Sequence, residues 1–286
     1  MQESNPAPRA RPESHGGLAF VKGHGTENDF VLLPDADGAL ELTAELARAL
    51  ADRHAGIGAD GVIRVARDTQ GRFVMDYRNA DGSLAEMCGN GARLFARFLV
   101  DAGWAPPGRI EFETRGGTRT ADLGPDGDVT IDLGRVVVGG SSIARVGGVS
   151  LAGTAVDVGN PHLVCLTDVP VAGLDLLRAP EFDSAVFPAG VNIEVVNAVA
   201  PDAVRMRVFE RGVGETRSCG TGTVAAAAAW LAAQGLSSGA VTVAVPGGEV
   251  RVDITSDGIA SLTGPAVIVA TGTVLVPAVS EKVTVR

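Results

Sequence analysis

Apolar positions along the chain follow two spacings. Leu94, Phe95, Phe98 and Leu99 repeat at helical intervals, with Arg93, Arg97 and Asp101 on the other face and Gly103 ending the run. This predicts an amphipathic helix that opens at Gly89-Asn90-Gly91. Val224 to Ala233 is apolar all round, the pattern of a helix running through the middle of a domain. Leu42, Leu46 and Leu50 predict a short helix over Glu41 to His54, stopped by Gly56, and Leu174 to Phe182 reads as a weak helix. Elsewhere apolar residues alternate or form short Val-rich runs bounded by Gly, as strands do. These are Val62 to Ala66, Arg72 to Tyr77, Arg109 to Thr114, Thr118 to Asp122, Val129 to Leu133, Leu163 to Leu166 and Val204 to Phe209. Leu18 to Leu33 reads as strand, turn, strand, with Gly23 to Asp29 between.

The pattern occurs twice. Cys88-Gly89-Asn90-Gly91 opens the first main helix and Cys219-Gly220-Thr221-Gly222 the second, 131 positions apart (219 − 88). Asn79 and Glu210, each closing a strand-like run nine positions before its Cys, are also 131 apart, as are Gly116-Gly117 and Gly247-Gly248. Asn28 and Asn160 differ by 132, and Gly134 and Gly264 by 130. A chance Cys-Gly pair would not carry its neighbourhood with it, so the chain is read as a duplicated unit. The fold class expected is mixed α/β, with two pseudo-symmetric halves. The best boundary lies near Val136, through Gly139-Gly140-Ser141-Ser142, without a Pro- or Ser-rich linker. A cleft between closely joined halves is the natural place for a site.

Composition narrows the function. The 286 residues are 45% hydrophobic but only 4% aromatic, so the cores must be built from Val, Leu, Ile and Ala. A formal charge of −10 argues against nucleic acid and anionic membranes, which need a basic surface. A small-molecule partner is expected. Three Cys without zinc or disulfide spacing point to a reducing cytoplasm. No apolar run approaches the roughly 20 residues that span a bilayer. Residues 1–17 lack the apolar segment of a secretory signal and read as a disordered extension.

The candidate chemistry sits at the two helix starts. The first N–H groups of a helix have no internal partner and carry partial positive charge, so each turn can hold a carboxylate and favours thiolate over thiol at Cys88 and Cys219. Two thiols on opposite walls of one cleft suit inversion at a carbon, one removing a proton while the other delivers one to the opposite face. Cys165, inside an apolar strand, reads as core. Asn28 reads first as a turn residue, the alternative being an amide aimed into the site. His162 follows the repeat-matched Asn160 and is either structural or a group that biases a nearby thiol. Glu210-Arg211 precedes a helix-opening thiol and is read as meeting a charged ligand. Nothing in these motifs calls for pyridoxal phosphate, a metal or a nucleotide.

Asn-x-Asp-Gly-Ser-x4-Cys-Gly-Asn-Gly-x-Arg at 79 to 93, Gly-Asn-Pro-His at 159 to 162 and Glu-Arg-Gly-x-Gly-Glu-Thr-x-x-Cys-Gly-Thr-Gly at 210 to 222 resemble diaminopimelate epimerase, in order and from about Phe20 to the C-terminus. The resemblance implies a pyridoxal-phosphate-independent isomerase that interconverts L,L- and meso-2,6-diaminopimelate in lysine and peptidoglycan-precursor synthesis, usually as a homodimer. It implies two domains, each a curved mixed sheet around a central helix, with the C-terminal strand returning to the first. The division expected is 18–135 plus 272–286, and 136–271. By motif, Cys88 and Cys219 are the acid/base pair. Gly89, Asn90, Gly220 and Thr221 bind the reacting carboxylate, and Asn28, Asn79, Asn160, Asn192, Glu210 and Arg211 the amino groups and distal carboxylate. His162 and Glu210 adjust the thiols. The chain departs from the family at Gly61, where many members carry Gln, and has Thr221 in place of Ser. Proline and hydroxyproline racemases share the fold and the two Cys. An amino-acid binding module with a reversible Cys88–Cys219 disulfide is the reading from another class.

Overall fold

The computed structural model describes residues 17–275. The expected N-terminal extension lies outside the described residues except for Gly17. The first half runs β1 (Leu18–Gly25), β2 (Asn28–Asp35), α1 (Ala44–Ala51), β3 (Gly61–Arg67), β4 (Phe73–Asn79), α2 (Gly89–Asp101), β5 (Gly108–Thr114), β6 (Gly117–Leu123) and β7 (Val129–Arg135). The second continues with β8 (Val137–Val146), β9 (Val149–Asp157), β10 (Pro161–Leu166), β11 (Glu181–Phe182), β12 (Asn192–Ala200), β13 (Ala203–Glu210), β14 (Gly214–Thr216), α3 (Gly220–Ala233), β15 (Gly239–Val245), β16 (Gly248–Ile254), β17 (Ile259–Gly264) and β18 (Val267–Val274).

Strand pairing repeats the duplication seen in the sequence. In the first half β1–β2 is antiparallel, β2–β3 parallel, β3–β4 antiparallel, β4–β5 parallel, and β5–β6–β7 antiparallel. The second half follows the same scheme through β9, β10, β12, β13, β15, β16 and β17. The parallel steps β4–β5 and β13–β15 need crossovers, and α2 and α3 supply them. Two further pairings tie the halves together. β17 pairs with β7, and β18 pairs antiparallel with β1, Leu18 opposite Val274. The pairing of β18 with β1 extends from Val267, opposite His24, to Val274.

Each central helix is buried by the sheet that wraps it. α2 places Leu94, Phe95, Phe98 and Leu99 against Ile110, Phe112 and Ile131 in one core, each large side chain contributing about 1.5–3 kcal/mol. α3 buries Val224 to Ala229 completely or nearly so, because its small side chains let strands approach on every side. A separate cluster, Leu42, Leu46 and Leu50 on Val31, Leu33 and Val62, seats α1 on the outer face of β2 and β3.

Three local expectations change. Thr43 caps α1 by accepting the Leu46 N–H at 3.1 Å. Asp52 accepts the N–H groups of His54 and Ala55, so the helix stops short of His54. Residues 174 to 182 form no helix. Leu174 and Leu176 are buried as separate anchors, Leu177 points outward, and Glu181–Phe182 pairs with Arg145 and Ala144. The Leu174 carbonyl accepts from Arg207 at 2.7 Å, outside any helical ladder. The boundary stretch Gly139 to Ser142 lies inside β8, which bulges between Val138 and Ser141. Arg93, expected on the solvent face of α2, is fully buried.

The turn between β1 and β2 is only Thr26-Glu27, both at positive φ (48° and 59°). This hairpin tip rests on the β15–β16 turn of the other half, where a Cβ added to Gly247 would lie 1.8 Å from the Thr26 carbonyl oxygen. Arg217 completes the contact through an ion pair with Glu27 and a 2.8 Å bond to the Pro246 carbonyl. Gly247→Ala is expected to lower stability by about 1–3 kcal/mol, because backbone must move to admit the methyl. The shift of the urea midpoint at unchanged slope measures it.

Candidate active site

Cys88 and Cys219 are the N-cap residues of α2 and α3, with matching extended backbones (φ −134° and −125°). The helix starts abut: a Cβ on Gly220 would lie 3.4 Å from the Cα of Gly89. Two sets of N–H groups without helical partners thus converge between the thiols.

On the Cys88 side, Asn28 Oδ1 accepts from the thiol at 3.6 Å and from Asn90 Nδ2 at 3.1 Å. Its own Nδ2 donates to Asp60 Oδ2 at 2.7 Å, and Arg53 holds the other Asp60 oxygen at 2.7 Å. These partners fix which end of the amide faces the sulfur. Asn28 is therefore the first residue of β2 with its amide in the site, and the turn reading is corrected.

Asn90 serves the junction rather than open space. Its Nδ2 also donates to the Ser218 carbonyl at 3.2 Å and lies 3.3 Å from Ser218 Oγ. Ser218 Oγ bonds Thr26 Oγ1 at 2.7 Å, which accepts from Arg93 Nη2 at 3.1 Å, while Arg93 Nε donates to the Pro265 carbonyl at 3.2 Å. This buried chain runs from one thiol's helix to the residue preceding the other thiol.

On the Cys219 side, the sulfur accepts the Gly222 N–H at 3.4 Å and lies 3.6 Å from the Thr221 hydroxyl. Glu210 accepts from Thr216 Oγ1. Burial holds the Glu210 carboxyl above the usual carboxylate range, against that hydroxyl and the Cys219 thiol.

His162 is completely buried, with both ring nitrogens engaged: Nδ1 lies 2.7 Å from Glu194 Oε1 and Nε2 3.0 Å from Asn160 Oδ1. His162 thereby links Glu194 to the Asn160 amide. Glu194 went unrecognised in the sequence. The signal was a charge inside the apolar run Val191 to Val196, which costs too much unless the group is paired. It lies under the start of α3, where a Cβ on Gly222 would come within 2.6 Å of its Oε1.

Asn192 is a backbone clamp, accepting the Arg211 N–H at 2.9 Å and donating to the Pro161 carbonyl at 3.3 Å. The Arg211 guanidinium bonds the Ala189 carbonyl at 2.9 Å and pairs with no carboxylate among the described residues, so it can grip one from outside. Asn79 accepts from the Tyr77 hydroxyl at 2.8 Å and donates to Ser83 Oγ at 3.0 Å. Among the described residues no three His, Cys, Asp or Glu side chains converge as a metal site, and no helix is long and apolar enough to cross a membrane. A cavity of about 550 Å³ at the far end of α3, between Leu231, Leu236 and Arg135, contains no thiol.

Burial opposes the thiolates that the helix starts favour. Burial pushes Cys88 up to about 11 against the N–H groups of Gly91 and Asn90, with the Glu210 charge adding to the rise. Burial and the charges of Glu210 and Glu194 push Cys219 well above its ordinary value. Desolvation of a sulfur anion outweighs a few N–H dipoles. Cys88 in the free protein is therefore expected to react with iodoacetamide roughly 20-fold more slowly at pH 8 than an ordinary thiol of pKa about 8.5. Its thiolate fraction is about 200-fold lower, and higher intrinsic nucleophilicity recovers about tenfold. Labelling of the Cys88 peptide, followed by mass spectrometry, should climb about tenfold per pH unit from 7 to 10. A plateau near pH 8.5 would contradict the assignment.

The profile of the family described as Diaminopimelate epimerase matches residues 20–139 and 154–269. The chain belongs to the diaminopimelate epimerase family. Diaminopimelate epimerase of Corynebacterium glutamicum is 52% identical over 273 residues, covering 90% of this chain and 98% of that protein. The protein of the same name from Thermobifida fusca is 51% identical over 271 residues, with the same coverage of 90% and 98%. Among solved structures, a predicted epimerase from Pseudomonas aeruginosa superposes with a TM-score of 0.68 at 14% identity, over 91% of this chain and 100% of that one, a likeness of fold alone. Membership of the diaminopimelate epimerase family makes the chain an isomerase.

Proposed function

We propose that this enzyme interconverts L,L- and meso-2,6-diaminopimelate by two-base chemistry, on lysine and peptidoglycan-precursor routes. The observation that carries the reading is the pair of thiols at the abutting starts of α2 and α3, one from each half. The reacting carboxylate binds at the N–H groups of Gly89, Asn90, Gly220 and Thr221. The α-carbon then lies between the sulfurs. One Cys as thiolate takes the α-proton, the other as thiol supplies a proton to the opposite face, and the reverse reaction exchanges the roles. A gap of ten pK units between carbon acid and sulfur would cost about 14 kcal/mol. Charge developing on the carboxylate is met by both helix starts in a site that excludes water.

In this reading Asn28, Asn79, Asn160, Asn192, Glu210 and Arg211 surround the rest of the substrate. Arg211 takes the distal carboxylate and Asn160, aimed by His162 and Glu194, presents its amide. The working division is two domains, 18–135 with the C-terminal strand, and the intervening second half. The enzyme is further proposed to be a cytoplasmic homodimer without nucleic-acid partners. Conversion of stereopure L,L-diaminopimelate to the meso form by reduced protein with no added cofactor tests the reading. Absence of conversion by folded protein would overturn it.

A further inference from the structure

Gly61 opens β3 directly opposite Asn79, the last residue of β4. The corresponding slot of the second half holds the side chain of Asn192, 131 positions on. In the first half the slot is already filled. A Cβ added to Gly61 would fall 2.4 Å from Tyr77 Cε2, 2.8 Å from the Arg78 carbonyl oxygen and 3.1 Å from the Tyr77 hydroxyl. The phenol thus enters from the neighbouring strand and occupies the space that a side chain at 61 would take. Its ring is fixed edge-on against Phe30, centroids 5.9 Å apart at 75°.

Among the described residues the hydroxyl has one partner, Asn79 Oδ1 at 2.8 Å, and the other end of that amide bonds Ser83 Oγ at 3.0 Å. The phenol donating to Oδ1 and the Ser83 hydroxyl accepting from Nδ2 tether the amide at both ends and fix the plane in which it lies. Burial holds the phenol protonated, and the charges of Cys88, Glu210, Asp60 and Asp81 reinforce this. It remains a donor throughout the working range.

We propose that Tyr77 is a positioning residue for substrate: from the slot left open by Gly61, its hydroxyl tethers the Asn79 side chain so that the amide is held in place for the ligand. The inference rests on the diaminopimelate reading above and extends it to a residue that acts through Asn79. Substrate binding, not proton transfer, depends on it.

The test is Tyr77→Phe, which removes one oxygen and keeps the ring packing, alongside Asn79→Ala, the double variant, and Ser83→Ala, which frees the same amide from its other end. Expected in Tyr77→Phe is a KM for diaminopimelate about five- to twentyfold higher with kcat within twofold, the loss of one hydrogen bond's positioning. The double variant should be no worse than Asn79→Ala, and Ser83→Ala should raise KM in the same direction. An unchanged KM in Tyr77→Phe with a wild type that turns over, or fully additive losses, would overturn the inference alone. A wild type that does not turn over diaminopimelate would overturn the reading beneath it as well.

Discussion

Cys88→Ala and Cys219→Ala are each expected to lose net epimerisation by about a thousandfold or more, the scale of a positioned acid or base. Their isotope behaviour should differ. With L,L-diaminopimelate in deuterated water, one variant retains the thiol facing the α-proton, so label enters slowly with retention of configuration. The other retains only the thiol on the far side and should incorporate none. With the meso isomer's D-centre the two variants should exchange these behaviours. Proton NMR with chiral chromatography reads both quantities. Label with inversion in either single variant would mean that a third group supplies protons.

The second large effect concerns stability. Glu194→Ala removes one partner of a fully buried pair, Glu194 Oε1 and His162 Nδ1 at 2.7 Å, and leaves an imidazole in an apolar interior. Loss of one member of such a pair costs about 3–5 kcal/mol. Glu194→Gln, which preserves volume and an oxygen acceptor, should cost less than half as much. Urea unfolding of the two variants gives the comparison, and equal midpoints for Glu194→Ala and wild type would show that the pair does not support the fold. Because His162 Nε2 meets Asn160 Oδ1, folded Glu194→Ala should also show a raised KM.

What was legible in the chain was whatever repeated. The 131-residue offset located both thiols, both central helices and the matched strands, and the pairing scheme runs twice in the same sense. The missed features depend on contacts between distant segments. Asn28 read as a turn residue because its neighbours are turn-like, yet Thr26 and Glu27 take the positive φ values and Asp60 aims the amide. Arg93 falls on the polar face by helical spacing. The hairpin tip and Pro265 cover that face, so a guanidinium became part of the interior. Leu174 to Phe182 has apolar spacing near that of a helix, but its leucines anchor in a core assembled from β9, β10 and β12. Helix-start dipoles are legible in the motifs, whereas the desolvation that opposes them at Cys88 and Cys219 comes from strands distant in sequence. The Gly61 slot and its Tyr77 occupant lie 16 positions apart (77 − 61), on two strands whose register alone brings them together.

The central claim is that two thiols work from opposite faces of one carbon without a cofactor. The most direct measurement is incubation of the reduced protein with L,L-diaminopimelate in deuterated water, following α-deuterium and meso product from the first turnover. The account predicts that each new meso centre carries solvent deuterium from the outset. Meso product that retains the original α-proton would mean a single base returning its own proton, and would contradict the account.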